Sequence, residues 1–158
     1  MINLASWLIW GFAATAILTI IMAGSQGLGM TRMNIPYMLG TMFTPDRDRA
    51  KSLGVLIHLV DGWVFSALYV VAFYLWGGPT WWKGAIMGLV QAGFVLTVAM
   101  PAMPGIHPRM ASESRGPTVV RQLEPPGFLA LHYGRPTPIS IVIGHLVFGL
   151  VLGVLYHP

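Results

Sequence analysis

The sequence predicts an all-α integral membrane protein, a bundle of four transmembrane helices. The 158 residues are 55% hydrophobic and only 9% charged, whereas charged residues make up about 25% of a soluble domain. Four apolar runs approach the roughly 20 residues that a helix needs to cross the hydrocarbon core. No run contains Lys or Arg, and only the second contains an acid.

The predicted spans cover roughly Leu4–Gly24, Leu53–Trp76, Gly84–Pro101 and Ile139–Tyr156. The first run has neither a basic leader nor an evident small-residue cleavage site, so we interpret it as a retained helix rather than a signal peptide. Little chain remains outside the four spans. The whole sequence is therefore predicted to form a single transmembrane domain.

Basic and aromatic residues predict how the spans are oriented. Eight of the nine Lys and Arg lie in the two long connections, and only Lys83 lies between the second and third spans. Because cytoplasmic loops are enriched in Lys and Arg, both long connections are predicted in the cytoplasm and both termini outside. Five tryptophans fall near the opposite membrane face, as an interfacial belt requires: Trp7, Trp10, Trp76, Trp81 and Trp82.

The two long connections differ in composition. Residues 25–50 are rich in Gly and Met, whereas residues 102–138 are rich in Pro, which disfavours long regular structure. Each contains a short apolar piece, Asn34–Phe43 or Gly127–Tyr133, that we interpret either as a brief interfacial helix or as packed loop. The segment Met100–Met110, which contains His107, is predicted to be a structured turn, with a gate or ligand loop as the alternative.

The second and fourth spans predict an internal duplication. His58–Tyr69 (HLVDGWVFSALY) and His145–Tyr156 (HLVFGLVLGVLY) align without gaps and are identical at seven of twelve positions. The first and third spans match more weakly, with Leu18, Thr19, Met22 and Gly27 opposite Leu96, Thr97, Met100 and Gly105. We predict a duplicated helical hairpin with units of about 4–76 and 84–157, related by an axis along the membrane normal.

Small residues form an equivalent stripe on both copies. Gly62 and Ser66 lie four residues apart on the second span, and Gly149 and Gly153 lie four apart on the fourth. Small residues at this spacing allow helix backbones to approach closely in lipid. We therefore predict that these four residues pack helices together, and that the second and fourth spans cross at the stripe.

Several motifs resemble a bacterial family of small four-span membrane proteins whose domain has no assigned function. The matching segments are a loose M-x-x-G stretch at Met22–Ser25, I-P-x-M-L-G at Ile35–Gly40, a His-led second helix at His58, M-P-x-M-x-G-x-H-P at Met100–Pro108 and G-H-x-x-x-G-x-x-x-G at Gly144–Gly153. The resemblance spans nearly the whole chain. It implies a four-span protein of the bacterial cytoplasmic (inner) membrane and implies nothing about chemistry.

The candidate cofactor ligands are His58 and His145, which occupy equivalent positions in the two copies. Facing histidines can ligate haem iron or, together with Met22 and Met100, a soft metal such as copper. The interpretation that we favour is that each ring hydrogen-bonds a loop carbonyl and closes its helix end. We predict no bound cofactor or metal, because the chain has no H-x-x-x-H motif and no carboxylate repeated in both halves.

An acid inside a membrane span is costly and usually has a partner, a water-filled cavity or a functional role. Asp61 is the only such acid here. It follows His58 by three residues, so the two share a helix face and are predicted to form an intramembrane polar pair. A proton relay through both groups is the alternative.

These observations narrow the possible functions. The absence of cysteine excludes disulfides and thiolate metal sites, and the chain has no nucleotide-binding or catalytic motif. We expect a non-catalytic accessory subunit of a larger bacterial membrane complex, in respiratory or other electron transfer, with lipid and other membrane subunits as partners and no nucleic acid. The alternatives are a haem-, copper- or quinone-binding protein that uses the repeated histidines, and a small oligomeric transporter.

Overall fold

The computed structural model describes residues 2–112 and 114–158. Four helical stretches are long and apolar enough to cross a membrane, namely Leu4–Gly27, Arg47–Leu75, Trp81–Ile106 and Thr137–Leu155. The predicted all-α architecture and the predicted number of candidate spans are therefore confirmed. We label the helices in chain order as α1 (Leu4–Gly27), α2 (Ile35–Gly40), α3 (Arg47–Leu75), α4 (Trp81–Phe94), α5 (Met100–Ile106) and α6 (Thr137–Leu155).

Three helices begin where a side chain caps their free N–H groups. Asn3, Asn34 and Asp46 each accept a hydrogen bond from the backbone N–H three residues further along the chain. The cap at Asp46 starts α3 at Arg47 rather than at the predicted Leu53. The first turns of α3 are therefore polar and extend beyond the apolar run that hydropathy detects.

The turn predicted over Met100–Met110 occupies only the end of that segment. α4 continues through a π-helical turn, Val95–Ala99, into α5, which ends at Ile106, and a turn follows at Pro108 and Arg109. Pro101 has no N–H to donate, and its ring crowds the preceding turn of a regular helix. The wider π turn directly before it provides the space that lets the helix continue.

The four spans are arranged in the order α4, α6, α1, α3. α6 packs closely against α4 on one side and α1 on the other, and α1 packs against α3. The backbone of α3 approaches those of α4 and α6 at few points, and side chains bridge the gap, as Tyr69 does to Phe148 of α6 and to Gln91 of α4. The bundle is therefore closed around α6 and open between α3 and α4.

The small-residue stripes do pack helices together, but the predicted crossing of the second and fourth spans is wrong. Gly149 and Gly153 of α6 lie against the backbone of α4 at Gly84. Gly62 and Ser66 of α3 lie against α1, where a Cβ on Gly62 would overlap the side chain of Thr15. The physical reason is that each stripe meets small residues of the preceding span, Gly11 on α1 or Gly84 on α4. Large side chains, such as Tyr69 and Phe148, instead lie between α3 and α6.

Both termini lie at one end of the bundle. The backbone N–H of Asn3 donates to the Tyr156 hydroxyl at 3.2 Å, and that of His157 donates to Ser6 Oγ at 2.9 Å. Lys83 is buried at the same end, and its Nζ donates to the carbonyl of Trp76 at 2.6 Å. The single basic residue of the short connection therefore satisfies carbonyl groups at the end of α3.

The apolar piece of the first long connection contains α2, which packs against α3. Gly40 and Gly54 bring the two backbones into contact, because a Cβ on either would overlap a carbonyl of the other segment. In the second connection, Phe128–Tyr133 is a short 3₁₀ segment. The predicted irregular stretch, residues 102–138, is helical at both ends, up to Ile106 and from Thr137. Among the described residues of 107–136, the remaining regular structure is one isolated bridge between Met110 and Leu123, so the prediction holds for that part.

A buried histidine ties the two long connections together. His107 is 4% exposed, and its Nε2 donates to the Met38 carbonyl at 2.9 Å while its Nδ1 accepts the Arg109 N–H at 3.1 Å. Burial, and to a smaller extent the nearby Arg109 charge, lower the pKa of His107 below its ordinary value, although the bond to Met38 opposes the shift. The ring is therefore held neutral, and it joins the end of α5 to α2.

The two connections also meet at a charged contact on the surface. Arg32 Nη1 lies 3.0 Å from Glu124 Oε2, and the backbone N–H of Arg32 donates to the Tyr133 carbonyl at 2.8 Å. The Tyr133 hydroxyl donates to the Glu124 carbonyl at 2.6 Å. Burial and the Glu124 charge raise the pKa of Tyr133 to about 12, with Arg32 acting in the opposite direction, so the hydroxyl keeps the proton that this bond needs.

Candidate binding site

The middle of the bundle contains a cavity of about 180 Å³. Four polar side chains from three helices line it: His58 and Asp61 from α3, Gln91 from α4 and His145 from α6. Asp61 lies at the centre of α3, and His145 and Gln91 lie close to the centres of their spans. This cavity therefore brings polar groups together at the depth where the membrane is most apolar.

The hydrogen bond of His145 determines which ring nitrogen carries the proton. His145 Nδ1 lies 2.8 Å from the carbonyl oxygen of Ile141, one turn earlier in α6. Because a carbonyl can only accept, Nδ1 carries the proton and donates. Nε2 of the neutral ring then has a free lone pair.

His58 reaches the same state through a different partner. Its Nδ1 lies 3.1 Å from Thr19 Oγ1, and the Thr19 hydroxyl lies 2.7 Å from the Thr15 carbonyl. The Thr19 hydroxyl donates its hydrogen to the Thr15 carbonyl and can therefore only accept from His58. His58 Nδ1 thus carries a proton and donates it to Thr19 Oγ1. The structure gives no hydrogen bond to Nε2 of either His58 or His145 among the side chains that it describes.

The predicted histidines therefore line one cavity, but their predicted partners differ. His145 bonds a carbonyl of its own helix and His58 bonds a threonine of α1, whereas we expected loop carbonyls at the helix ends. Asp61 lines the cavity with His58, yet within the described part of the chain no hydrogen bond joins the two. The pair is not directly bonded because Thr19, a tertiary neighbour, takes the proton of His58 Nδ1.

The cavity does not hold a preformed metal site of acids and histidines. Within residues 2–112 and 114–158, no group of three or more His, Asp or Glu is placed to hold a metal ion. Met100 and Met103 line the cavity with the two histidines, whereas Met22 lies in a neighbouring cavity beside His58. Of the two methionines in the soft-metal alternative, Met100 thus lies on the cavity with both histidines and Met22 does not.

Two contributors to the site were missed in the sequence. Thr19 orients His58, and Gln91 Oε1 accepts a hydrogen bond from the Tyr69 hydroxyl at 2.7 Å. An amide inside an otherwise apolar span was a signal that could have identified Gln91. Thr19 gave no such signal, because threonine hydroxyls in helices commonly bond the carbonyl one turn earlier.

Two neighbouring spaces adjoin the cavity. A groove of about 460 Å³ lies between α3 and α4, and it shares Phe65 and Gln91 with the cavity. A second cavity of about 270 Å³ extends towards the first long connection and Lys51, and it shares His58. The polar cavity thus has a neighbouring space on the lipid side and another towards the end of the bundle that carries the long connections.

The fold and the cavity define a multi-pass helical membrane protein whose described spans surround a polar cavity at their middle. Comparison of the chain with known protein families, with curated proteins and with solved structures gives no significant match. The resemblance to a four-span bacterial family therefore stays a prediction from the motifs.

Proposed function

We propose that this protein is a non-catalytic accessory subunit of a larger bacterial membrane complex, of the respiratory or another electron-transfer type. The observation that carries the proposal is a pair of small residues, Gly93 and Thr97, on the outer face of the third span. A Cβ on Gly93 would meet nothing within 4 Å, and Thr97 is exposed. This pair has the spacing of a helix contact and no helix against it.

The internal contacts of the protein explain why this pair suits a partner helix. The spans meet where small residues lie four apart, as at Gly149 and Gly153, because packing rather than hydrophobicity drives helix association in lipid. The Thr97 hydroxyl donates to the Gly93 carbonyl at 2.7 Å, so the pair presents no unsatisfied polar group to a neighbour. A glycine within a helix costs about 1 kcal/mol relative to alanine, which close packing against a partner offsets.

The test is co-purification from the native membrane in mild detergent. We expect the wild-type chain to bring down a stoichiometric set of other membrane proteins, and Gly93→Leu to lose that set, because a leucine side chain fills the space that a partner backbone occupies. Gly24→Leu is the matched control. A Cβ on Gly24 also meets nothing within 4 Å, but Gly24 lies in a different helix, near the C-terminal end of α1. This variant should keep the partners.

Two outcomes contradict the subunit proposal. One is a wild-type chain that purifies alone or only as an oligomer of itself. The other is a Gly93→Leu chain that keeps the same partners at the same stoichiometry. The folded state of each variant is checked in the same preparation by circular dichroism and thermal unfolding, so that loss of partners is separated from loss of structure.

The proposed location is the bacterial inner membrane, with both long connections in the cytoplasm. The charge distribution supports this orientation, because eight of the nine basic residues lie in those connections. Lys83, at the end that carries the termini, is bound to the carbonyls of Trp76 and Gly78. We also propose that the protein arose by duplication of a helical hairpin. In support, the small residues of α3 pack against α1, and those of α6 pack against α4, which is the preceding span in each case.

The second candidate function is binding of a cofactor by His58 and His145. In metal sites the second ring nitrogen of a ligating histidine donates to a carbonyl or another acceptor, which is how Nδ1 of both rings is used here. The thioethers of Met100 and Met103 on the same cavity favour copper(I) among metals. The cavity volume of about 180 Å³ disfavours haem, since even drug-sized ligands occupy sites of about 300–1,000 Å³.

A further inference from the structure

The groove between α3 and α4 opens directly to the lipid. It measures about 460 Å³ and is lined by large apolar side chains, among them Phe65, Leu68, Trp76, Val90 and Phe94. Its two polar residues, Tyr69 and Gln91, are hydrogen-bonded to each other. Since Phe65 and Gln91 also line the central cavity, the groove lies directly beside the polar groups at the middle of the bundle.

The side chains of the groove indicate a hydrocarbon chain rather than a helix as its occupant. The closest backbone contacts between spans of this protein are made at small residues such as Gly84 and Gly149. No Gly, Ala, Ser or Thr lines the groove. A flexible chain can follow the irregular surface between large side chains, whereas a helix backbone would be held away from it.

The cavity at the inner end of the groove indicates the chemistry of the head group. Nε2 of His58 and of His145 has a free lone pair, and the Asp61 carboxyl is bonded to no side chain that the structure describes. These groups accept hydrogen bonds and lie at the middle of the membrane, far from the interface where a phospholipid headgroup sits. A phosphate beside Asp61 would also place two anions together in an apolar surrounding.

A head group that fits is uncharged, carries hydroxyl donors and is attached to a long apolar tail. We propose that the cavity and the groove together bind a membrane quinol, with the ring among His58, Asp61 and His145 and the isoprenoid tail between α3 and α4. Ring hydroxyls then donate to the free acceptors of the cavity, and the Gln91 amide remains as a donor for a ring oxygen. The groove, at about 460 Å³, falls by itself within the range of small-molecule sites, about 300–1,000 Å³.

This inference concerns a ligand of the chain itself and assigns it no electron transfer. It goes beyond the proposed subunit function and does not depend on it, because the groove and the Gly93–Thr97 pair are different surfaces. The two proposals are tested with different variants. We expect Gly93→Leu to lose its partners and still bind the quinol. We expect the quinol-site variants Asp61→Leu and Val90→Trp to keep their partners.

The test is calorimetric titration of the purified full chain with decylubiquinol, under anaerobic conditions, in nanodiscs of phosphatidylcholine, with empty nanodiscs subtracted. We expect saturable binding of one quinol per chain. Asp61→Leu should weaken it about tenfold, because an acceptor for a ring hydroxyl is lost. Asp61→Asn, which keeps a carbonyl acceptor, should restore most of the affinity, and Asp48→Leu on the exposed first turn of the same helix should bind like the wild type.

The tail is tested separately. Val90→Trp narrows the groove and should weaken binding of decylubiquinol about tenfold, while binding of the same ring without the decyl tail stays unchanged. Two results would overturn the proposal. One is a binding heat that does not saturate after the signal of empty nanodiscs is subtracted, and the other is the same affinity for decylubiquinol in wild type, Asp61→Leu and Val90→Trp. If a variant does not fold, organic extraction of the wild-type protein from its native membrane decides: about one quinone per chain supports the site, and none overturns it.

Discussion

The third span uses its two faces in opposite ways. On one face, Gly84 and Gly88 bring α4 into backbone contact with α6. On the other face, Ile86, Val90 and Phe94 border a groove that separates α4 from α3. Both faces are apolar, so apolarity does not decide which one meets a helix. In lipid the size of the side chains decides, because only small residues allow two backbones to pack closely.

The same comparison accounts for the position of the polar groups. In the α4–α6 contact, Gly84 and Gly88 of α4 lie against the backbone of α6 at Gly149 and His145. The polar side chains instead lie where the α3–α4 groove meets the interior, at Asp61 and Gln91. A gap between helices provides the room that buried polar groups and a ligand need.

The largest expected effect breaks the tight contact. Gly149→Leu places a side chain where the Gly84 carbonyl now lies, and neither backbone can move without separating α4 from α6. We expect a loss of about 3 kcal/mol in the free energy of unfolding, the upper end of the range for overpacking. The measurement is unfolding by sodium dodecyl sulfate in mixed micelles, followed by circular dichroism.

Gly93→Leu is the matched control for that experiment. It makes the same substitution on the open face of the third span, where a Cβ meets nothing within 4 Å. In partner-free micelles its unfolding curve should match that of the wild type. Equal destabilisation by both variants would show that glycine flexibility, rather than the tight contact, stabilises the bundle.

A smaller effect is expected at the end of the third span, where the hydrogen bond from His107 to the Met38 carbonyl holds the helix end in place. The pKa of His107 in the folded protein lies below the ordinary 6.5, mainly through burial. The unfolded chain therefore binds more protons between those two pKa values, so stability is complete above pH 6.5 and falls as the pH drops below it. We expect a loss of roughly 1 kcal/mol, the worth of one hydrogen bond.

The measurement is thermal unfolding in detergent between pH 8 and pH 5. The matched variant is His107→Gln, whose side chain can still donate to the Met38 carbonyl but does not titrate in this range. Its stability should fall less than that of the wild type as the pH is lowered. Parallel curves for the two proteins would remove His107 as a source of the pH dependence.

The smallest expected effect lies in the groove. Val90 is 68% exposed, so Val90→Ala removes methyl groups that touch little protein. We expect the free energy of unfolding to change by less than about 0.5 kcal/mol, as for other substitutions away from packed sites. A loss as large as that of Gly149→Leu, measured in the same micelles, would mean that the groove is closed in the folded protein.

The sequence was most informative where a local pattern was enough. Hydropathy located all four spans, and the stripe of small residues correctly marked Gly62 and Gly149 as contact positions. The sequence did not reveal which helix packs against each stripe, because periodicity identifies one face of a helix but not the helix that lies against that face. The extension of α3 to Arg47 was also missed, since hydropathy does not detect a polar helix start.

The candidate site shows the same division. His58 and His145 were identified from their repeated positions, and the structure places both on one cavity. The expected bond between His58 and Asp61 was wrong because residues three apart on a helix share a face without having to bond, and Thr19 of another helix lies closer to the ring nitrogen. Gln91 reaches the cavity only through the arrangement of α4 around α6.

By itself the sequence determined that this chain is a helical membrane protein of four spans, because the cost of exposing polar backbone and charged groups to hydrocarbon acts on each segment separately. It also determined which residues are small enough for close contact and which are polar within a span. Only the tertiary structure decided that α6 lies between α4 and α1 and that a groove separates α3 from α4. Those outcomes depend on how side chains of different sizes fit together across helices, which no single segment contains.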